Sequence, residues 1–262
     1  MFQILSERWQ QKYRTLVYPD APAPTPPETF RGMPIIDRSK CPGGCRECAD
    51  ACPTDAIETD GGTSFKLDLG RCLFCTDCQD ACPEGAIRYT QDIRLSTSRR
   101  EDLIVEEGKA FKLAQAIDEK SRKVFGRSLK LRQVSAGGCN ACEADLNVLT
   151  TVVFDLGRFG LKFVASPRHA DALVITGPVT KNMAYALGMT DEAMAEPKFV
   201  IAVGACAISG GPFINLPEQN NGADSQLKVD LYIPGCPPHP LTILDGMLRL
   251  IGRIEDEQAA KK

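Results

Sequence analysis

The chain has 262 residues with 31 basic and 34 acidic side chains, which gives a formal net charge of −3. This length has room for a small domain and one globular domain of ordinary size, and the scattered basic residues form no electrostatic footprint for nucleic acid. The sequence contains no run of about eighteen uninterrupted apolar residues and no charged-then-apolar signal at its N-terminus. The composition therefore argues against a nucleic-acid-binding protein and predicts a protein that is cytoplasmic or peripheral on a membrane.

Residues 1–17 are predicted to form one short amphipathic helix. Its apolar side chains recur at near-helical spacing, at Phe2, Leu5, Trp9, Tyr13 and Leu16. Three placements are open for this stripe: docking on a partner subunit, packing against the neighbouring domain of the same chain, and contact with a membrane surface. Five prolines in the nine residues from Pro19 to Pro27 then predict an extended, semi-rigid spacer. We therefore assign residues 1–29 to a helix and a spacer.

All twelve cysteines fall into three sets of four, and the first two sets form an internal repeat. The segment Cys45–Pro53 recurs thirty positions later as Cys75–Pro83, with cysteines in the same places. The second copy opens at Cys72 and is a full C-x2-C-x2-C-x3-C-P run. The first copy opens at Cys41 and has one additional residue before its second cysteine, where two glycines permit the wider loop.

In such runs, three closely spaced thiolates bind one 4Fe–4S cluster and the fourth cysteine ligates the other cluster. The sequence therefore predicts two clusters within residues 30–92. The ligands assigned to the first cluster are Cys41, Cys45, Cys48 and Cys82. The ligands assigned to the second cluster are Cys72, Cys75, Cys78 and Cys52.

Zinc is the alternative metal for these two sets, because C-x2-C pairs also bind zinc. A zinc site does not explain why the cysteines occur in triplets or why a proline follows each fourth cysteine. A disulfide framework would need an oxidising compartment and therefore an export signal.

Residues 93–128 are rich in charge and are predicted to be a linker. Phe111, Ala114 and Ile117 recur there at helical spacing, which predicts one helix of about twenty residues within the linker.

From residue 129 to residue 252, short apolar runs alternate with helical patterns. The predicted strands are Leu129–Val134, Lys162–Ala165, Ala172–Ile175, Phe199–Val203 and Leu231–Ile233. Helices are predicted at about 142–155, 181–195 and 240–251. The alternation predicts an α/β, doubly wound parallel sheet of flavodoxin type, followed by a tail at 253–262.

The remaining four cysteines follow the ends of predicted strands. Cys139 and Cys142 follow the first strand, Cys206 follows the fourth, and Cys236 follows the fifth. Ligands of such sheets sit beyond the carboxyl ends of the strands, so we predict that these four residues hold a third 4Fe–4S cluster. The alternative is that they are buried structural cysteines.

On these cysteine runs, residues 30–92 resemble a bacterial-type two-cluster ferredoxin domain. The segments Tyr18–Pro19, Phe30–Pro34 and Asp37–Cys41 resemble the entry to the ferredoxin-like subunits of formate hydrogenlyase and of respiratory complex I. This resemblance implies an α+β fold with two short cluster-binding helices and small hairpins, and a role in passing single electrons.

Residues 128–252 resemble the small subunit of energy-converting, group 4 NiFe hydrogenases and the complex I subunit that holds the terminal cluster. The segments that carry the match are Cys139–Glu143, Ile175–Thr180, Gly204–Phe213 and Pro234–Pro238. Complex I places two adjacent cysteines where this chain has C-x2-C, which moves the resemblance toward the hydrogenases. The chain departs from the hydrogenase motif at two positions. Ala141 stands where that motif commonly has glycine, and Ala205 stands where an acidic residue is frequent.

The resemblance implies an electron-transfer subunit of a multi-subunit, membrane-associated NiFe hydrogenase of formate hydrogenlyase type. Two ferredoxin clusters and a proximal third cluster would connect a donor with a large subunit that carries nickel and iron. This chain would then be the iron–sulfur subunit of an oxidoreductase, with the nickel site on another chain. The alternative is the same relay in a nickel-free relative or in a complex I-like NADH or quinone oxidoreductase.

The partners implied by the resemblance are that large subunit and either membrane-arm subunits or a soluble electron donor. Formate dehydrogenase, carbon monoxide dehydrogenase and ferredoxin are the donors expected. The implied location is cytoplasmic, peripheral on the inner face of the cell membrane through partner subunits.

One acidic residue next to a predicted ligand is a candidate for proton transfer. A glutamate at this place in the hydrogenase family lies near the subunit interface and is a candidate proton carrier, which implies that role for Glu143. A carboxylate at a helix N-terminus is equally explained by the helix dipole. His239 and His169 are not expected to be ligands.

Overall fold

The computed structural model describes residues 2–12, 14–61, 64–117, 125 and 128–254. The C-terminal residues 255–262, which include most of the predicted tail, lie outside the described part of the chain.

The N-terminal half is built from short strands and two one-turn helices. These elements are β1 (Pro34–Ile36), α2 (Glu47–Asp50), β2 (Ile57–Thr59), β3 (Phe65–Asp68), α3 (Asp77–Asp80), β4 (Ile87–Tyr89) and β5 (Ile104–Glu106). Strand β1 pairs antiparallel with β4, which brings the start of the first repeat against the end of the second. Strand β3 lies between β2 and β5 in a second antiparallel sheet. The predicted α+β ferredoxin fold is confirmed.

The linker differs from its prediction. Residues 93–117, all of which are described, contain a 3-10 turn at Arg100–Leu103 and strand β5 but no α-helix. The reason is tertiary: β5 pairs with β3, and the Ala114 N–H donates to the Ser96 carbonyl at 2.8 Å, so the backbone finds partners outside a helix. Residues 118–124, 126 and 127, on which part of the predicted helix falls, lie outside the described residues.

The C-terminal half is a five-stranded sheet with helices between the strands. Its elements are β6 (Leu129–Ser135), α4 (Ala141–Val148), β7 (Leu161–Phe163), β8 (Ala172–Thr176), α5 (Lys181–Glu192), β9 (Phe199–Val203), α6 (Ala205–Ser209), β10 (Leu231–Ile233) and α7 (Pro240–Leu250). All neighbouring strands are parallel, in the order β10-β9-β8-β6-β7. All five predicted strands are present. Helix α4 ends earlier than predicted, where the Thr150 and Thr151 hydroxyls donate to carbonyls three residues back.

The sheet is buried on both faces, which is why its strands read as continuous apolar runs. Alternate residues of β8 show this division. Leu173 and Ile175 pack with residues of α5, α6 and the ferredoxin half, whereas Ala172 and Val174 pack with residues of α4 and α7. Helices therefore cover both faces, and the doubly wound prediction is confirmed.

Buried contacts join the two halves. The Ser209 hydroxyl, which is buried on α6, donates to the Gly70 carbonyl at 2.9 Å. A β-bridge joins Thr97 of the linker to Tyr232 of β10 and extends the parallel sheet by one antiparallel residue pair. The ferredoxin half is thus fixed against one face of the sheet domain.

Helix α7 is buried along its whole length and carries an ion pair inside the core. The Arg249 Nε donates to Asp245 Oδ2 at 2.8 Å, and both side chains are at most 5% exposed. The Tyr18 hydroxyl donates to the other carboxylate oxygen at 2.5 Å, so the start of the proline-rich spacer is anchored on α7.

Helix α1 (Phe2–Gln11) is shorter than the predicted helix, and Leu16 of the predicted stripe lies beyond it, where its N–H donates to the Val153 carbonyl at 2.8 Å. Phe2 and Trp9 are 89% and 85% exposed, which excludes packing of these side chains against the neighbouring domain. Tyr13, another member of the predicted stripe, lies outside the described residues. Every helix in the described part of the chain is too short or too polar to span a bilayer.

Candidate metal centres

The first cavity lies at one end of the ferredoxin half and is lined by all four cysteines assigned to the first cluster. These are Cys41, Cys45, Cys48 and Cys82. Three come from the first repeat, whereas Cys82 follows α3 in the second repeat, so the chain crosses over as its spacing predicts.

The wider loop of the first repeat is accommodated by a close backbone approach. The N–H of Gly44 donates to the carbonyl of Gly61, and Gly44 has a φ of 83°. A β-carbon on Gly61 would lie 2.8 Å from the Gly44 Cα. Glycine is required at both places, at Gly44 for its backbone conformation and at Gly61 for this contact.

The second cavity is lined by the four cysteines assigned to the second cluster. These are Cys52, Cys72, Cys75 and Cys78. The cavity also contacts Tyr89, whose hydroxyl lies 3.5 Å from the Cys72 sulfur.

Backbone N–H groups point at the sulfurs in a pattern that repeats between the two cavities. The Ala56 N–H donates to the Cys52 sulfur at 3.2 Å, and the Ala86 N–H donates to the Cys82 sulfur at 3.3 Å. Each donor lies four residues after the crossing cysteine of its own repeat. A negatively charged thiolate is stabilised by such donors.

Burial affects the protonation of two of these thiols in particular. Burial raises the pKa of Cys48 to about 11 and that of Cys72 to about 12. A buried thiol is an inert hydrophobic group, whereas a metal ligand must be a thiolate, so binding of metal would displace these protons.

The third cysteine group lies at the carboxyl ends of the parallel strands. Cys139 and Cys142 flank the start of α4, Cys206 lies in α6, and Cys236 follows β10. Burial raises the pKa of Cys142, and the nearby Cys206, Glu143, Cys236 and Cys139 raise it further, so the other three thiols lie close enough for their charge to act on Cys142.

Glycines let the backbone approach the third cysteine group. Gly204 has a φ of 91°, and a β-carbon there would lie 2.6 Å from the Cys142 sulfur. A side chain at Gly211 would likewise approach the Cys206 sulfur, at 2.9 Å. Any larger residue at either position would displace a cysteine sulfur.

The second cavity and the third cysteine group face each other across the boundary between the two halves. The pKa of Cys236 is raised by burial, then by Cys139, and then by Cys75 from the ferredoxin half. Phe74 and Cys236 also line one shared cavity at this boundary.

All three cysteine groups fit an iron–sulfur cluster by their donor chemistry. Each group offers four thiols, which are the soft ligands that Fe–S clusters and zinc select. The N–H donors aimed at sulfur and the glycines beside the third group supply the close backbone environment that tunes such clusters.

Glu143 is buried behind Cys142. Its carboxylate accepts a hydrogen bond from the Thr176 hydroxyl at 2.6 Å. Burial raises its pKa, but the hydrogen bonds from Thr176 and Ser135 outweigh that effect, and the net pKa lies below its ordinary value. The carboxylate is therefore held in its ionised form by its own strand neighbours.

The two histidines do not join any cysteine group. His239 accepts the Leu241 N–H on its Nδ1 and so caps α7, and its ring contacts Phe30 edge-on at 5.2 Å. His169 is exposed in the loop after β7. Both placements agree with the expectation that neither is a ligand.

Two residues of the ferredoxin half contribute to the cavities without having been predicted from the sequence. Gly61 shapes the first cavity, and Tyr89 contacts the second cavity. The thirty-residue repeat could have indicated Tyr89. Tyr89 occupies the position of Thr59 in the first repeat, and Thr59 lines the first cavity.

Two family models match the chain. Residues 139–250 match the family described as the 20 kDa subunit of NADH ubiquinone oxidoreductase. Residues 37–86 match the 4Fe–4S dicluster domain.

Curated relatives are similar to about half of this chain. A probable membrane-bound hydrogenase subunit of Pyrococcus furiosus is 40% identical over 50% of this chain and 79% of its own length. A subunit of the NADH-quinone oxidoreductase of Carboxydothermus hydrogenoformans is 42% identical over 48% of this chain and 76% of its own length. Formate hydrogenlyase subunit 7 of Escherichia coli is 41% identical over 53% of this chain. The match covers only 54% of the length of that relative.

Proposed function

The chain belongs to the family of the 20 kDa subunit of NADH ubiquinone oxidoreductase, and we propose that it is the electron-transfer subunit of a membrane-associated NiFe hydrogenase of formate hydrogenlyase type. Its relatives are named as subunits of oxidoreductase complexes, and its N-terminal part belongs to the 4Fe–4S dicluster domains. The twofold resemblance drawn from the sequence is thereby confirmed.

We propose that the chain holds three 4Fe–4S clusters, one at each cysteine group. A bound cluster accepts and releases one electron at a time. The chain contributes twelve thiolate ligands and the N–H donors of Ala56 and Ala86, and it buries the sulfur-bearing side chains of Cys72 and Cys78.

The observation that carries this proposal is the approach of the second cavity to the third cysteine group. Phe74, which adjoins Cys75, lines the same cavity as Cys236, and the buried hydrogen bond between Ser209 and Gly70 fixes the two halves against each other. A relay needs its redox sites close together and held rigidly, whereas separate metal storage sites do not.

The remaining partners are proposed from the family alone. A large subunit would carry the nickel and iron, and membrane-arm subunits or a soluble donor would complete the path. Formate dehydrogenase, carbon monoxide dehydrogenase and ferredoxin are the donors to test. The complex would lie on the inner face of the cell membrane, with this chain peripheral to it.

Glu143 is proposed to carry protons for the large subunit. The position of its buried carboxylate next to the proposed ligand Cys142 supports the proposal, and the hydroxyls of Thr176 and Ser135, which both donate to it, are its hydrogen-bonded neighbours. Replacing Glu143 by Gln should lower hydrogen evolution while the paramagnetic signals of the clusters stay unchanged. Equal loss of the cluster signals would instead assign the carboxylate a purely structural role.

A second candidate function is the same relay in a nickel-free or quinone-linked complex. The 42% identity to a subunit of an NADH-quinone oxidoreductase favours it. The C-x2-C spacing of Cys139 and Cys142 favours the hydrogenase side.

The deciding experiment is metal analysis of the complex that copurifies with this chain from its own host. Nickel together with hydrogen evolution from reduced methyl viologen is the result that we expect. Iron without nickel or hydrogen would keep the relay and select the second candidate. Zinc in place of iron would remove the electron-transfer proposal altogether.

A further inference from the structure

Tyr89 places a hydroxyl group against two sulfurs of the second cavity. Its oxygen lies 3.5 Å from the Cys72 sulfur and 3.6 Å from the Cys78 sulfur. A phenol donates one hydrogen, so it bonds one of the two sulfurs at a time. Both sulfurs belong to the ligand set proposed for the second cluster.

The fold holds the Tyr89 ring in this position from several sides. Tyr89 is the last residue of β4 and pairs with Pro34 of β1. The Tyr89 N–H donates to Gln79 Oε1 at 3.3 Å. Its ring lies 5.9 Å from the Phe74 ring. The hydroxyl is therefore placed by the backbone and by packing.

The equivalent residue of the first cavity cannot make the same contact. Thr59 lines that cavity, but its hydroxyl donates to the Ser64 carbonyl at 3.0 Å and accepts the Gly61 N–H at 3.1 Å. Its proton is thus directed away from the cysteine sulfurs. At this position of the repeat, the two cavities therefore differ in whether a side-chain hydroxyl reaches a cysteine sulfur.

Thr54 is the other hydroxyl near a sulfur of the second cavity. Its oxygen is 3.9 Å from the Cys52 sulfur, but it donates to the Arg71 carbonyl at 2.8 Å. This leaves Tyr89 as the hydroxyl whose proton is available to a ligand sulfur.

We propose, on the basis of the proposed clusters, that Tyr89 is a positioning residue that raises the reduction potential of the second cluster above that of the first. The hydroxyl proton lies against sulfur, whose negative charge increases on reduction, so the hydrogen bond favours the reduced form. An electron that enters the ferredoxin half then resides mainly at the second cavity, which faces Cys236.

The test is a redox titration of the reconstituted full-length chain, followed by electron paramagnetic resonance. In the Tyr89→Phe variant the ring is retained and the hydroxyl is lost. One ferredoxin signal should then be less reduced at any given potential, with the ratio of reduced to oxidised cluster falling several-fold. For a one-electron couple, a tenfold fall in this ratio corresponds to about 59 mV. In the matched Thr59→Val variant, which removes the equivalent hydroxyl of the first cavity, the signal that moves in Tyr89→Phe should keep its potential.

A second measurement keeps the inference testable if the Phe variant does not load its cluster. The wild-type chain is labelled with tyrosine that carries oxygen-17 at the hydroxyl, and the reduced second cluster is examined by electron–nuclear double resonance. A coupled oxygen-17 is expected. An absence of coupling, or unchanged potentials in Tyr89→Phe, would overturn the role of Tyr89. A wild-type chain without any 4Fe–4S signal would instead overturn the proposed function itself.

Discussion

The two halves of the chain place their cysteines differently relative to the hydrophobic core. In the ferredoxin half, Cys72 and Cys78 are themselves members of the buried cluster, and the surrounding strands are three or four residues long. In the sheet half, the face against α4 and α7 is filled by Leu, Ile, Val, Phe, Ala and Met side chains, and the cysteines lie at one end of the strands.

This difference indicates where metal contributes to folding. Short elements bury little apolar surface, so small domains depend on staples such as metal sites. In the sheet domain, the face against α4 and α7 is buried mainly by apolar side chains of that domain itself. We infer that the ferredoxin half needs its clusters to fold and that the sheet half does not.

The largest predicted effect follows from removal of iron with a chelator under mild oxidation. Amide hydrogens of β1 to β4 should exchange faster with solvent. The loops between these strands enclose the two cavities, and without iron nothing cross-links their cysteines. Amide hydrogens of β6, β8 and β9 should stay protected. Hydrogen exchange followed by mass spectrometry measures both, and equal loss in the two halves would remove the distinction between them.

The sheet half should be most sensitive to changes in its internal ion pair. Replacing Asp245 by Ala deprives the buried Arg249 of its carboxylate partner and should lower the free energy of unfolding by about 3–5 kcal/mol. Chemical denaturation measures the change. The control is Tyr18→Phe, which loses one hydrogen bond to the same carboxylate and should cost about 1–3 kcal/mol. An equal cost for the two variants would contradict the central role of the ion pair.

The boundary between the halves can be disturbed at Gly70. A β-carbon there would lie 2.7 Å from the Ile208 side chain and 2.8 Å from the Arg100 guanidinium carbon. The Gly70→Ala variant should lose about 1–3 kcal/mol through overpacking and should weaken the magnetic coupling between the second and third clusters. Gly188→Ala is the control, since nothing lies within 4 Å of its β-carbon position. Unchanged coupling in Gly70→Ala would show that the boundary tolerates a wider spacing.

A smaller effect is expected from Ser209→Ala, which removes the buried hydrogen bond to the Gly70 carbonyl. The expected loss is about 1 kcal/mol of unfolding free energy, since the carbonyl loses one partner without a change in packing. Both halves should keep their clusters. Loss of the third cluster in this variant would show that Ser209 supports the site rather than the boundary.

The features that the sequence predicted correctly are those encoded by local patterns. Cysteine spacing indicated which thiols share a cavity, and apolar runs such as Phe199–Val203 indicated the parallel strands. The crossing of Cys82 into the first cavity also followed from spacing, because the fourth cysteine of such a run ligates the other cluster.

The features that the sequence did not predict depend on contacts between distant segments. Within its described residues 93–117, the linker forms β5 and no α-helix, and β5 pairs with the edge of β3. Tyr89 reaches Cys72 only after β4 has folded back onto β1. The approach of Cys75 to Cys236 depends on how two domains dock, and no pattern within either domain encodes it.

The most direct test of the proposed cluster assignment compares the iron content of two double variants of the reconstituted chain. Crossover assigns Cys52 and Cys72 to one cluster, so Cys52→Ala with Cys72→Ala should keep about eight of about twelve irons. Cys41→Ala with Cys52→Ala should then affect both ferredoxin clusters and keep about four. The opposite order, with more iron in the Cys41 and Cys52 pair, would contradict the crossover and with it the proposed ligand sets.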